Sequence, residues 1–221
     1  MSLISKINKT NLSYFDFRRR MINKIKKECP FPVIFVGNDA LAFFDANESP
    51  NRKTNVVELK HKSINKICGQ QYNFFVYQKQ ESCFTISDYQ GPLRTVSFTS
   101  PCIVFGAFVK DENGKIKHSG VYHAESIPPN AFFYSRLYKL IDTVRLEPDE
   151  RVTVKASGSN KDGKDLQKLR EDITKILAVK DVKIELENLL LGGNSYRITE
   201  FYPQNGQLIT YFSNSKQKII L

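Results

Sequence analysis

Apolar and polar positions along this chain follow two periods, and the period changes at marked places. Behind Ser13, Tyr14, Phe17, Met21, Ile22 and Ile25 recur at helical spacing. Ser13 can cap that helix, which runs for about 15 residues until Cys29-Pro30 ends it. "FPVIFVG" at 31–37 predicts a short buried strand, and "NDALAFFDA" after it a helical turn or short helix. "NVVELKHK" and "YNFFVYQK" alternate as strands do.

From Thr95 onward the pattern sharpens. "RTVSF" predicts a strand and "CIVFGAFV" a strongly apolar one. "KDENGK" carries Asn-Gly, the hairpin dipeptide, and "IKHSGVYH" is the returning strand. "SIPPN" stops the sheet, and Pro129-Asn130 opens a helix, "AFFYSRLYKLIDTV". "RVTVKA" is a further strand, followed by the polar loop "SGSNKDGK". Leu166, Leu169, Ile173 and Ile176 then form the apolar face of the clearest helix. "VKIELENLL" reads as a strand, and "SYRITEFYPQNGQLITYF" as two strands joined at Asn205-Gly206. Strands outnumber helices and are mostly joined by hairpins, which makes the class α+β. No repeat, low-complexity tract or polar linker divides residues 1–221, so a single domain is expected.

Composition narrows the function classes. A chain of 221 residues with 41% hydrophobic and 25% charged residues is an ordinary soluble one, long enough to bury a core without staples. No apolar run approaches the roughly 20 residues of a membrane span, and "MSLISKINKTNLSYF" lacks the apolar stretch of a Sec signal. Cys29, Cys68, Cys83 and Cys102 are scattered without a CxxC pair, and the three histidines form no cluster with them. No zinc site is therefore expected, and the cysteines read as reduced, in a cytosol. The sequence leaves a disulfide among them open. Cys68 and Cys83 read as packing residues, and His61, among lysines, as a surface residue.

The net charge is +10, of which residues 1–30 supply +6 from eight Lys/Arg against two Asp/Glu. "RRRMINKIKKE" is the densest part. It reads as the solvated face of an amphipathic helix, or as a docking surface for an acidic partner. No Gly-rich phosphate loop or RNA-binding aromatic motif accompanies the charge, so nucleic acid is not expected.

The candidate chemistry lies in "SPCIVFGAFVKDENGKIKHSGVYH" at 100–123. If residues 111–114 are the turn, Lys110 faces Lys115, and counting back sets Cys102 opposite His123 on one sheet face. His118 then faces Ala107 with the other parity, and a slip of one step would break the Cys102–His123 pairing, leaving His118 as the alternative base in a different register. A thiol beside an imidazole supports nucleophilic acyl transfer. Only the thiolate attacks well, and the imidazole takes its proton and returns it to the leaving group. A third polar group usually orients the imidazole. Thr95, Ser97, Thr99 and Ser100 offer hydroxyls, and Glu125 shares the parity of His123. On spacing alone, buried packing is the simpler account of the same pair.

The stretch resembles the CheD-type chemoreceptor glutamine deamidases. They carry a segment ending in Ser-Cys, an apolar strand, a turn, and a Lys-x-Gly-Gly-x-x-His return strand. "FTSPCIVFGAFV" and "KHSGVYH" fill those places, with Ser119-Gly120 for Gly-Gly and a longer turn. "RVTVKASGS" matches a strand entering a Gly-rich loop. "LGGNSYRITEFYPQNGQLITY" is similar to the closing Gly-Gly-Asn-x-x-Arg hairpin. The likeness covers roughly residues 92–213 and leaves 1–90 as an unmatched N-terminal extension. It implies a β-sandwich-like core of mostly antiparallel strands with helices on one side, a fold shared with the cytotoxic necrotising factor class of deamidase toxins. It also implies Cys102 as nucleophile and His123 as base, with Thr95 the nearest match to the family's threonine and Ser97 the alternative. Pro101, which has no N–H, departs from the family's Gly-rich approach to the cysteine.

The expectation is a monomeric protein-glutamine deamidase acting without a cofactor on a glutamine side chain of another protein, in the cytoplasm or as an effector delivered to a host cytosol. Transglutamination, a cysteine protease, or a binding module with a vestigial pair are the alternatives. Tyr196 and Arg197 read as sheet residues or as the mouth of the site, and Gly192 and Gly193 as backbone devices.

Overall fold

The computed structural model describes residues 33–45, 73–76, 81–85, 94–99, 101–125, 130–182, 184–193, 196–212 and 218–221. The chain divides into two compact units, Met1–Pro30 and Phe31–Leu221, and every described residue belongs to the second. The expected helix behind Ser13, the basic run, Cys29, the strand at 55–62 with His61, and Cys68 lie outside the described residues.

The strands are β1 (Val33–Val36), β2 (Ala40–Asp45), β3 (Asn73–Val76), β4 (Glu81–Thr85), β5 (Arg94–Thr99), β6 (Ile103–Lys110), β7 (Ile116–Ala124), β8 (Val152–Gly158), β9 (Leu189–Leu191), β10 (Arg197–Tyr202), β11 (Gln207–Phe212) and β12 (Lys218–Ile220). Helix α1 spans Ala131–Val144 and α2 spans Gly163–Ala178. The first sheet has the order β12-β11-β10-β5-β1-β3, and the second β4-β2-β7-β6-β8-β9. Most pairs are antiparallel. The β1–β3, β1–β5, β2–β4 and β8–β9 pairs are parallel. The class is α+β and sandwich-like. No helix among the described residues is long and apolar enough to cross a membrane.

Two cores follow from period-two burial. Ile34, Val36, Phe201 and Leu208 of the first sheet meet Ala42, Phe44, Val104, Phe108 and Val121 of the second. The other face of the second sheet carries both helices. There Leu41, Phe43, Phe105 and Tyr122 pack with Leu137, Leu140 and Ile141 of α1 and Leu169, Ile173 and Ile176 of α2. Asn130 starts α1 as the sequence predicts, its side-chain oxygen accepting from the Phe133 N–H at 2.9 Å. A hydroxyl chain also crosses between the sheets. Thr99 meets Thr199 at 3.0 Å, Thr199 meets Thr210 at 3.4 Å, and Thr210 meets Ser157 at 2.7 Å.

Two elements differ from the sequence reading. "ALAFFD" is strand β2, not a helical turn. Ala42 and Phe44 face the inter-sheet core while Leu41 and Phe43 face the helices, so both strand faces are apolar and the alternation disappears. Among the described residues of "VKIELENLL" only Leu189 and Leu190 are strand, the start of Leu189–Leu191, preceded by a 3₁₀ turn at Leu186–Asn188. Val182 closes the end of α2, its N–H donating to the Leu177 carbonyl at 3.0 Å, and Val182 and Ile184 enter the core without a ladder.

The sheets approach closely at Gly106, where a β-carbon would sit 2.5 Å from Cδ2 of Phe201. Gly106→Ala is expected to destabilise the protein by about 1–3 kcal/mol through overpacking, read as a lower urea midpoint. An unchanged midpoint would mean that β6 and β10 do not approach this closely.

Candidate active site

Two chain crossings build the site. β1 and β5 are parallel neighbours, with Ile34 beside Thr95, so both leave the first sheet at the same end. Residues 37–39 carry the chain from β1 to β2, and Pro101 and Cys102 lead into β6 from the side of β5; Ser100 lies outside the described residues. The first crossing is tight. Asp39 takes the left-handed conformation at φ 57° and donates its N–H to the His123 carbonyl, and the Asp39 carboxylate accepts from the Glu125 N–H at 3.3 Å. That carboxylate also faces Tyr122. Burial first, and the Asp39 charge second, hold the Tyr122 phenol well above its ordinary pKa.

The hairpin register differs from the sequence expectation by two residues. Asp111 pairs with Lys115 through backbone bonding, and its carboxylate accepts from the N–H groups of Asn113 and Lys115. That tighter turn moves the register by one residue. An irregularity at Val109/Lys110, where Lys110 faces Ile116 and Val109 faces His118, moves it by another. His123 therefore faces Val104 rather than Cys102, and His118 faces Val109 rather than Ala107. Two is an even number, so the side-chain face is preserved. Cys102 is the diagonal neighbour of His123, two residues before Val104, which faces His123 directly and lies in the inter-sheet core. His118 shares a face with Val109 on the helix side, at the far end of the hairpin.

His123 reaches across the sandwich. Its Nδ1 lies 2.8 Å from the Val36 carbonyl oxygen. A carbonyl only accepts, so Nδ1 carries the proton, and in the neutral ring Nε2 holds the lone pair a base requires. The Ser97 hydroxyl donates to the same carbonyl at 3.2 Å. The Cys102 thiol points at Oδ1 of Asn38, at 3.6 Å. Cys102 is 6% exposed and His123 2%. Thr95, the other expected third group, is turned elsewhere: its hydroxyl donates to the Phe201 carbonyl at 3.2 Å, two residues down β5 from Ser97. Glu125 is exposed and touches the site through its backbone N–H. Among the described residues, no group of three His, Cys, Asp or Glu is placed to hold a metal ion.

The backbone of Cys102 is held from a third side. β8 ends at Gly158, where φ is 136° and a β-carbon would lie 2.0 Å from the Cys102 carbonyl oxygen, so no other residue fits. The next N–H, of Ser159, donates to that oxygen at 2.9 Å. Arg197, buried on β10, donates to the Gly158 carbonyl at 3.0 Å and to the Gly193 carbonyl at 3.2 Å. Burial lowers the pKa of its guanidinium. Tyr196, by contrast, is exposed. The sequence reading missed the Val36 carbonyl, Asn38 and Asp39, and assigned Arg197 no part in holding the cysteine.

Two measurements test this geometry. Nitrogen-15 spectra of a variant lacking His61 and His118 should show neutral His123 as the Nδ1-protonated tautomer, and an Nε2–H tautomer would contradict the Val36 contact. Ser97→Ala should cost about 0.5–1.5 kcal/mol in unfolding free energy and leave that tautomer intact.

No family model matches the chain, and no curated protein matches it.

Proposed function

We propose that the protein is a cysteine-dependent amidohydrolase that deamidates glutamine side chains of another protein. The observation that carries the reading is the 2.8 Å contact between His123 Nδ1 and the Val36 carbonyl, with Cys102 on the same sheet face as the imidazole. It fixes the tautomer whose Nε2 can accept the thiol proton. In this mechanism the Val36 carbonyl takes the orienting role that the resemblance implies for Thr95.

His123 Nε2 takes the proton from Cys102, and the thiolate adds to the carboxamide carbon. The resulting oxyanion needs donors. The Asn38 carboxamide presents its oxygen to the thiol; turned over about its terminal bond, it would offer Nδ2–H donors to the oxyanion. The imidazolium then gives its proton to the departing nitrogen, the carbon–nitrogen bond breaks, and ammonia leaves a thioester. Water attacks the thioester as His123 removes one of its protons. The carbon–sulfur bond breaks, releasing the glutamate carboxylate and restoring the thiol. If a primary amine replaces water, the same intermediate yields a substituted amide.

The test has two arms. Cys102 alkylation by iodoacetamide, followed against pH by peptide mapping, should proceed well below pH 8 and slow about tenfold or more in His123→Ala, since ordinary thiols titrate near 8.5. Incubation with unfolded glutamine-rich protein should release ammonia and raise peptide masses by about one dalton per site, the amide-to-acid difference, and Cys102→Ser should abolish both. A thiol that titrates in the ordinary range whatever occupies position 123 would sink the proposal.

A further inference from the structure

Arg197 is a buried cation whose contacts are unlike an ordinary ion pair. Its fork ends on two backbone carbonyls, those of Gly158 and Gly193, and its guanidinium lies 5.2 Å from the ring centroid of Phe212. Among the described residues no carboxylate lies within ion-pair distance of it. A charge taken out of water without a counter-ion is costly. It therefore leaves a net positive field at this end of the sandwich, where low dielectric strengthens its effect.

That field has a direct route to the cysteine. The peptide joining Gly158 to Ser159 is held at both ends. Its carbonyl accepts from Arg197 at 3.0 Å, and its N–H donates to the Cys102 carbonyl at 2.9 Å. Hydrogen bonds linked through one peptide polarise one another, so the cation makes the Ser159 N–H a stronger donor. The same carbonyl also accepts from the Gly192 N–H at 3.0 Å, which ties the 192–193 turn to the clamp. Among the described residues, the ionisable groups at this end of the sandwich include His123 from β7, Asp39 from the 37–39 crossing and Glu125 beyond β7, with Arg197 from β10 behind the carbonyl.

We infer that Arg197 is a positioning residue for the Cys102 nucleophile: through the peptide joining Gly158 to Ser159 it fixes the carbonyl side of the cysteine and sets a positive charge behind the thiol. This inference rests on the cysteine-hydrolase reading above. Two functions of Arg197 are separable by substitution. Lysine keeps the charge but cannot span two carbonyls with one planar fork, and methionine removes both.

The experiment is the pH profile of Cys102 alkylation in wild type, Arg197→Lys, Arg197→Met and His123→Ala, with amide hydrogen exchange at Ser159 measured on the same samples. Arg197→Met is expected to slow alkylation about tenfold at pH 7, the equivalent of a one-unit rise in the thiol pKa. Arg197→Lys is expected to recover most of that rate while Ser159 exchanges about tenfold faster than in wild type, because the fork is lost. A wild-type profile in Arg197→Met overturns the inference, while slowing in His123→Ala leaves the hydrolase reading standing. An ordinary thiol profile in wild type, unmoved by His123→Ala, sinks the hydrolase reading itself. If Arg197→Met does not fold, Arg197→Lys decides: wild-type exchange at Ser159, or a rate as slow as about one tenth of wild type, overturns the inference.

Discussion

Two neighbouring parallel strands that end together must both be carried off the sheet at the same edge, and here both are carried to the second sheet. That constraint on β1 and β5 brings Asn38 and Cys102 side by side. One crossing brings a backbone carbonyl and an amide side chain, the other a thiol. The imidazole comes from β7, in the centre of the second sheet, paired on one side with β6 and on the other with β2. A parallel β1–β5 pair cannot be closed by a hairpin, and the crossing residues are free to serve something other than chain reversal.

The polar layer near this end follows from the same arrangement. Thr99, Thr199, Thr210 and Ser157 occupy inward positions that would otherwise carry aliphatic side chains. Each hydroxyl both donates and accepts, so a chain of them satisfies itself without water. Beside this layer Arg197 is supported by carbonyl oxygens rather than by an acid. Toward the opposite end the same inter-sheet space is filled by Phe108, Phe201 and Leu208. The sandwich is thus apolar along most of its length and hydrogen-bonded where the two crossings meet.

Much of the fold was legible because its signals are local. Asn113-Gly114 and Asn205-Gly206 mark turns, and Asn130 marks a helix start. The common face of Cys102 and His123 was legible from parity, although the pairing itself was two residues off. What escaped is long-range or carried by groups without a side-chain signature. The Val36 carbonyl lies 87 residues from His123, and a backbone oxygen writes nothing into the sequence. Asn38 stood inside a stretch taken for helix because β2 is apolar on both faces. Arg197 left a trace that could have been used: it shares the inward parity of Thr199 and Phe201, and a lone cation there asks what holds it. The segment set aside as an unmatched extension supplies β1 to β4, one third of the described strands, and with them the partners of both site residues.

The hairpin between β6 and β7 imposes a rule on how such a chain can vary. Its far end is a surface turn, where insertions and deletions accumulate most readily. Its near end carries His123, whose usefulness depends on which side of the sheet it faces. A change of one residue in the turn, passed along the strand, would rotate the imidazole out of the inter-sheet space and into the helix layer. The irregularity at Val109/Lys110 absorbs one such step before it reaches His123. Length at the tip and chemistry at the base are thereby decoupled, and the bulge acts as the gear that lets one drift while the other stays in phase.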